Sequence, residues 1–175
     1  FMMKKALSEE LPFRDAIRSI DNFLSEDLVG DDTEFSSEIN SLEATKKFGL
    51  FLFNESLIAF GQDLKNEHQI MELLADIFTD IYTAESALVR ARKIMESNSP
   101  VQSTKDISRV FISEMVDRIV TNAQSILNAV YDGSIPKDTI FKMRKFDERM
   151  RLSCNAVQLK RNIAEFVFEQ EKYPY

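Results

Sequence analysis

Histidine and cysteine are almost missing from this chain: His68 and Cys154 are the single examples in 175 residues. One cysteine excludes an internal disulfide and gives no reason to place the chain in an oxidising compartment, so a reduced, cytoplasmic setting is expected. The same scarcity excludes zinc or haem sites built from several Cys and His. A Ser-His-Asp or Cys-His arrangement could be assembled only around His68, which stands beside Glu67 at a polar helix start and reads as a surface residue. Glycine and proline are also few, four of each. Gly30, Gly49, Gly61 and Gly133 are too scattered to cradle a phosphate, and neither G-x-G-x-x-G nor G-x-x-x-x-G-K-S/T occurs. Long apolar runs are lacking too. The densest, FGLFLFNESLIAF at Phe48 to Phe60, is broken by Asn54 and Glu55 and falls well short of the roughly 20 residues of a membrane span. The opening FMMKKALSEELPF has no apolar core of a signal peptide. It begins with Phe rather than Met, as a piece taken from a longer protein would. A net charge of −7 argues against nucleic acid as the main partner.

What is present is helical periodicity. With 44% hydrophobic residues and so few helix breakers, one well-filled core is expected, a single domain over residues 1–175. A first amphipathic helix is predicted from Pro12 to Leu28 with Phe13, Ile17, Ile20, Phe23 and Leu24 inward, and a second from Phe35 to Leu64. Asn66 and Gln69 make a capping-box pattern for a third, ending near Asn98 before Pro100. Ser103 with Asp106 suits the start of a fourth that stops at Asp132-Gly133. Pro136 fits the first turn of a fifth, and Val157 to Tyr173 reads as a sixth. Nothing alternates at period two for long, and there is no internal repeat. The expected fold is all-α, an up-and-down bundle of about four main helices with shorter ones packed on it.

Within the third helix, steps of about 100° place Ile70, Leu73, Leu74, Ile77, Ile81, Ala84 and Leu88 on one stripe, and Glu85 inside it. A carboxylate carried into a core must be paired or protonated, and the same desolvation would suit a catalytic base. The structural reading is a partly buried acid held by an arginine or lysine of a neighbouring helix, with Arg92, Arg109 and Arg118 as first candidates. Asp76 and Asp80 share the polar face, where solvated acids are ordinary. A di-iron site would need Glu-x-x-His spacing, which Glu67-His68 does not supply. The 14 Phe and 7 Met at helical spacing fill a core more often than a lipid pocket. The segment KKALSEEL is amphipathic enough to touch a membrane, though Glu9, Glu10 and the acids beyond oppose anionic lipid.

Charge is unevenly spread. Ser19 to Thr45 carries eight acids and no Lys or Arg, whereas Lys137 to Arg161 carries eight basic residues against Asp138, Asp147 and Glu148. Either the two ends lie together in the fold, or a polarised surface docks on a larger assembly.

Three segments in order, FMMKKALSEELP, QIMELLADIFTDIYTAESALVRARK and RNIAEFVFEQEKY, resemble the extra C-terminal helical region of very-long-chain-type acyl-CoA dehydrogenases, especially the longer bacterial forms. The likeness is strongest from Gln69 to Lys93, where Glu85 belongs to the matching ES pair; Glu34 to Leu64 matches only in hydrophobic pattern. The resemblance implies a parent enzyme of fatty acid β-oxidation that uses FAD and works as a dimer, with residues 1–12 of this chain as the linker from its upstream catalytic portion. In that family the catalytic Glu lies in an E-G-T-N-type loop of the upstream portion. This sequence has no such loop, so the resemblance assigns no catalytic, cofactor-binding or metal-ligating residue to this chain. Its implied role is to pack on its own catalytic portion, stabilise the enzyme, govern its dimer packing and shield one end of the substrate site. The alternative is an independent helical module that binds an acidic partner or an acyl ligand.

Overall fold

The computed structural model describes residues 13–26, 34–96 and 101–170, and among these there is no strand. Helices α1 (Phe13–Ser25), α2 (Ser36–Phe60), α3 (His68–Glu96), α4 (Val101–Val130), α5 (Lys137–Met150) and α6 (Ala156–Gln170) follow one another, with a 3₁₀ turn, Gly61–Asn66, between α2 and α3. The three long helices pack on one another, α3 antiparallel to both α2 and α4, which run parallel to each other. Helix α2 is central: it touches α1, α3, α4 and α5, while α6 lies against α4. The all-α bundle is therefore present, with α2, α3, α4 and α5 as its kernel.

Sequence chemistry explains most of the ends. Gly61 takes φ 52°, a conformation that costs a residue with a Cβ but not glycine. It stops α2 four residues before the predicted end at Leu64. Asn66 does not cap α3; its side chain turns back to Asp63 Oδ1 at 3.5 Å. Ser103 lies inside the first turn of α4, because the helix already begins at Val101. At the other end of α4, Asp132 (φ 47°) and Gly133 (φ 75°) bring the Gly133 N–H onto Asn128 O at 2.8 Å, a Schellman-type stop that satisfies an orphan carbonyl. Asn155 Oδ1 accepts the Gln158 N–H at 3.1 Å and so caps α6, a role its side chain suits. The predicted linker 1–12, the end of the first helix at 27–28, the end of the third at 97–98 and the last residues to 173 lie outside the described residues.

The core is aromatic at its centre. Phe146 of α5 is fully buried, with its ring 5.0 Å from Phe48, 5.8 Å from Phe51 and 6.4 Å from Phe23. Arg149, one turn on, lies over the Phe23 ring at 4.7 Å. Its Nη2 donates to the carbonyls of Leu24, at 3.4 Å, and Glu26, so a cation from α5 closes the C-terminal end of α1.

Candidate interaction surface

Glu85 is on the rim of the bundle. The buried row of α3 is Ile70, Leu74, Ile77, Ile81, Ala84, Leu88 and Ala91, and Glu85 stands just off it toward α2. Its side chain keeps 47% of its exposure and meets Lys46 Nζ at 2.6 Å. Burial tends to lower the pKa of Lys46, but the hydrogen bonds to Glu85 and Glu43 outweigh it and leave the pKa raised. None of the three predicted arginines is the partner. Arg109 holds Glu38, Arg118 makes a two-pronged contact with Asp80 at 2.9 and 3.1 Å, and Arg92 sits exposed beside Glu34, Phe35 and Glu96. The partner is thus a lysine of a neighbouring helix, one of the two expected types, in place of the three named arginines, and the acid is more exposed than expected: the outer edge of an apolar stripe is close enough to water, and to a lysine of the next helix, to carry a charge.

The acid carried inward is Glu38, whose side chain is 2% exposed and accepts from Arg109 Nε at 2.6 Å. The hydrogen bond to Glu38 is the largest influence holding the Arg109 pKa up. A signal for it existed: Glu38, Ser41, Thr45, Phe48 and Leu52 fall on one stripe of α2, and all five are buried. Asp106 is buried as well; it accepts from Gln102 Nε2 at 2.7 Å and Asn162 Nδ2 at 3.4 Å, which ties α6 to α4. Tyr131 donates to Glu55 and lies 3.4 Å from Thr139 Oγ1. Burial first, then the bond to Glu55, raises the Tyr131 pKa. Among the described residues no buried side-chain nitrogen or oxygen is left without a hydrogen-bond partner.

Part of the charge asymmetry of the sequence is spent inside the fold. Lys142 meets Asp21 at 2.9 Å, Arg109 meets Glu38, Lys105 meets Glu34, and Arg149 closes α1. Arg151 pairs with Asp117 and Asp147, and Lys160 with Glu114. Among the described residues, Lys142 with Asp21 joins the two oppositely charged stretches directly, and Arg149 adds a contact to the end of α1.

His68 is exposed at the first residue of α3, and Asp76 is exposed on its outer side. Asp76 and Asp80 line an open groove of about 550 Å³ with Asp117 and Arg118; a second, of about 430 Å³, lies between Arg90, Ala91, Thr104 and Phe111. No group of three or more His, Cys, Asp or Glu side chains among the described residues could hold a metal ion. No described helix is long and apolar enough to cross a membrane. The surface also carries exposed apolar side chains on several helices, Ile58 of α2 and Phe141 of α5 among them. Along α3 stand Phe78, Tyr82 and Val89, with Tyr82 71% exposed, while Phe53 and Leu57 of α2 are half-buried and packed against the core. On α6, Val157 and Phe168 share a stripe with Ala164 directly opposite the Leu159, Ile163 and Phe166 row. No side chain of α6 from Ala156 to Glu169 is fully buried.

Comparison with known proteins agrees with this architecture. Over 176 aligned residues the chain is 26% identical to a probable acyl-CoA dehydrogenase of Bacillus subtilis (strain 168), covering 98% of this chain and 29% of that protein. A crystal structure of an acyl-CoA dehydrogenase complexed with FAD from Bacillus anthracis superposes with a TM-score of 0.83 at 24% identity, covering 99% of this chain and 30% of the other; at that identity the likeness shows the fold. The chain thus spans about three tenths of the length of these relatives. The family described as acyl-CoA dehydrogenase, C-terminal domain, matches residues 44–145, from within α2 to within α5, and this chain belongs to it.

Proposed function

We propose that this chain is the non-catalytic helical domain of a FAD-dependent acyl-CoA dehydrogenase of the very-long-chain type, an enzyme of fatty acid β-oxidation. In this reading it packs on the larger, flavin-binding part of the same polypeptide, stabilises it, governs the packing of a cytoplasmic homodimer and shields one end of the substrate site. The observation that carries the reading is the near-complete match of the chain to about three tenths of two acyl-CoA dehydrogenases. The described residues do not suit a flavin. The two grooves described above are open, and in the first the diphosphate of FAD would meet Asp76, Asp80 and Asp117. No chemical step is therefore assigned to this chain; its side chains contribute packing and ion pairs. The rival reading, an independent module for an acidic partner, is disfavoured because Lys142, Arg149, Arg151 and Lys160 already have partners within the bundle.

The test is an absorbance scan and an acyl-CoA dehydrogenation assay on the 175-residue chain beside the full-length product of its gene. A colourless, inactive chain and a yellow, active full-length protein are expected. Flavin or turnover in the 175-residue chain, or a colourless and inactive full-length protein, would overturn the reading.

A further inference from the structure

Helices α1 to α5 all send side chains into the core; among the described residues α6 sends none. It lies against α4 alone as a close neighbour. Two contacts fix how: Lys160 Nζ meets Glu114 Oε1 at 2.5 Å, and Asn162 Nδ2 reaches Asp106 Oδ2 at 3.4 Å. Lys160 and Asn162 flank the row Leu159, Ile163 and Phe166, so that row faces α4, yet all three of its side chains stay only half-buried. Both members of the ion pair are about half-exposed, and a pair so open to water holds a helix weakly. The strip of α4 under α6 is polar as well. Asp106, Val110 and Glu114 share a stripe well around the helix from Ile112, Val116, Ile119 and Ala123, which are buried in the core. Asp106 is 1% exposed, and Asn162 is part of its cover. Desolvating that carboxylate opposes docking, because its hydrogen bonds offset the loss of water only in part. At the near end the chain is pinned: Arg151 holds Asp117 and Asp147, and Leu152 packs against the core. Ser153, Cys154 and Asn155 follow outside any helix.

We propose that α6 is a detachable strap: it lifts off α4 as a unit, pivoting at residues 153–155, while α1 to α5 stay folded. Opening bares Asp106 and Val110 beside the pair of Arg109 with Glu38; closing hides them again. Segments with few buried apolar contacts open at a lower free energy than the core, and α6 is the helix that meets this condition. The other peripheral helix does not. Helix α1 buries Ile20 and inserts Phe23 against Phe146, and α5 clamps it through Lys142 and Arg149. A polar strip beneath the strap suits the open state, because Asp106 regains water there, whereas an apolar strip would resist exposure.

The test is amide hydrogen exchange, read by mass spectrometry, on the full-length product of the gene. Amides 160–169 should exchange about tenfold or more faster than amides 77–88 of α3, yet about tenfold or more slower than an unstructured peptide. A kernel substitution separates strap opening from global unfolding. Phe146→Leu weakens the strap-closed and strap-open states alike, so it should speed exchange in α3 by about fivefold or more and leave that of α6 within about twofold of wild type. A series in low urea makes the same comparison without a substitution: exchange in α3 should rise steeply with urea and that in α6 only slightly, because lifting one helix exposes little surface. Equal exchange in the two segments, or a parallel rise with urea, would overturn the strap, since α6 would then leave only with the whole bundle. Exchange of α6 at the rate of an unstructured peptide would overturn it too, because a strap has to be docked most of the time.

Discussion

Removing Arg109 tests whether the inward acid of α2 depends on its partner. Glu38 is 2% exposed and bonded to Arg109 Nε at 2.6 Å, while the arginine side chain keeps 43% of its exposure. Deleting one member of a fully buried pair costs about 3–5 kcal/mol, because the other charge stays in a medium that solvates it poorly. Water reaches the guanidinium here, so the cost is discounted to about 2–3 kcal/mol. For a chain of this size each kcal/mol moves the thermal midpoint by about 2–4 °C. Arg109→Ala should therefore lower the Tm by roughly 4–12 °C, read by circular dichroism or calorimetry. Most of that loss is the stranded carboxylate. In a Glu38→Gln background, which keeps the side-chain shape without the charge, Arg109→Ala should cost less than half as much. A Tm lowered by less than about 2 °C, or equally in both backgrounds, would refute the reasoning.

Other substitutions probe the rest of the bundle. Glu85→Ala should cost at most about 1 kcal/mol, because its pair with Lys46 is half-exposed; a loss near 3 kcal/mol in denaturant titration would restore the buried-acid reading. Tyr131→Phe removes the donor to Glu55 and should destabilise by about 1–2 kcal/mol, measured by urea unfolding. The pH dependence has a definite sign. The pKa values of Tyr131, Lys46 and Lys142 are all raised in the folded chain. Their contribution is fully present below the unfolded values of about 10 and is lost as pH rises through the folded ones. Stability should thus fall from about pH 10 upward, less steeply in Tyr131→Phe; a flat profile to pH 11 would contradict this. Phe146→Ala opens a void among Phe23, Phe48 and Phe51 and should cost about 3–5 kcal/mol, with a midpoint within error of wild type as the contrary result.

The fold was legible because helical periodicity and punctuation are local. The spacing of Ile70, Leu74, Ile77, Ile81 and Leu88 fixes the buried side of α3 whatever packs on it, and Gly133 after Asp132 stops α4 through its own backbone freedom. The family resemblance, too, lay in ordered segments of sequence, and the match over residues 44–145 agrees with it. Local rules failed where two solutions were locally equivalent. Glu38 and Glu85 both sit at or near an apolar stripe, and nothing along either helix says which one goes inside. That depends on where neighbouring helices stand: α4 brings Arg109 to Glu38 across a covered side of α2, whereas Glu85 meets Lys46 at an edge open to water. The charge asymmetry was visible in the sequence, but only the placement of α5 beside α1, with Lys142 at Asp21, decided that part of it is neutralised internally. Periodicity specifies a face; the tertiary structure supplies what that face meets, because burial and pairing are properties of neighbours distant along the chain.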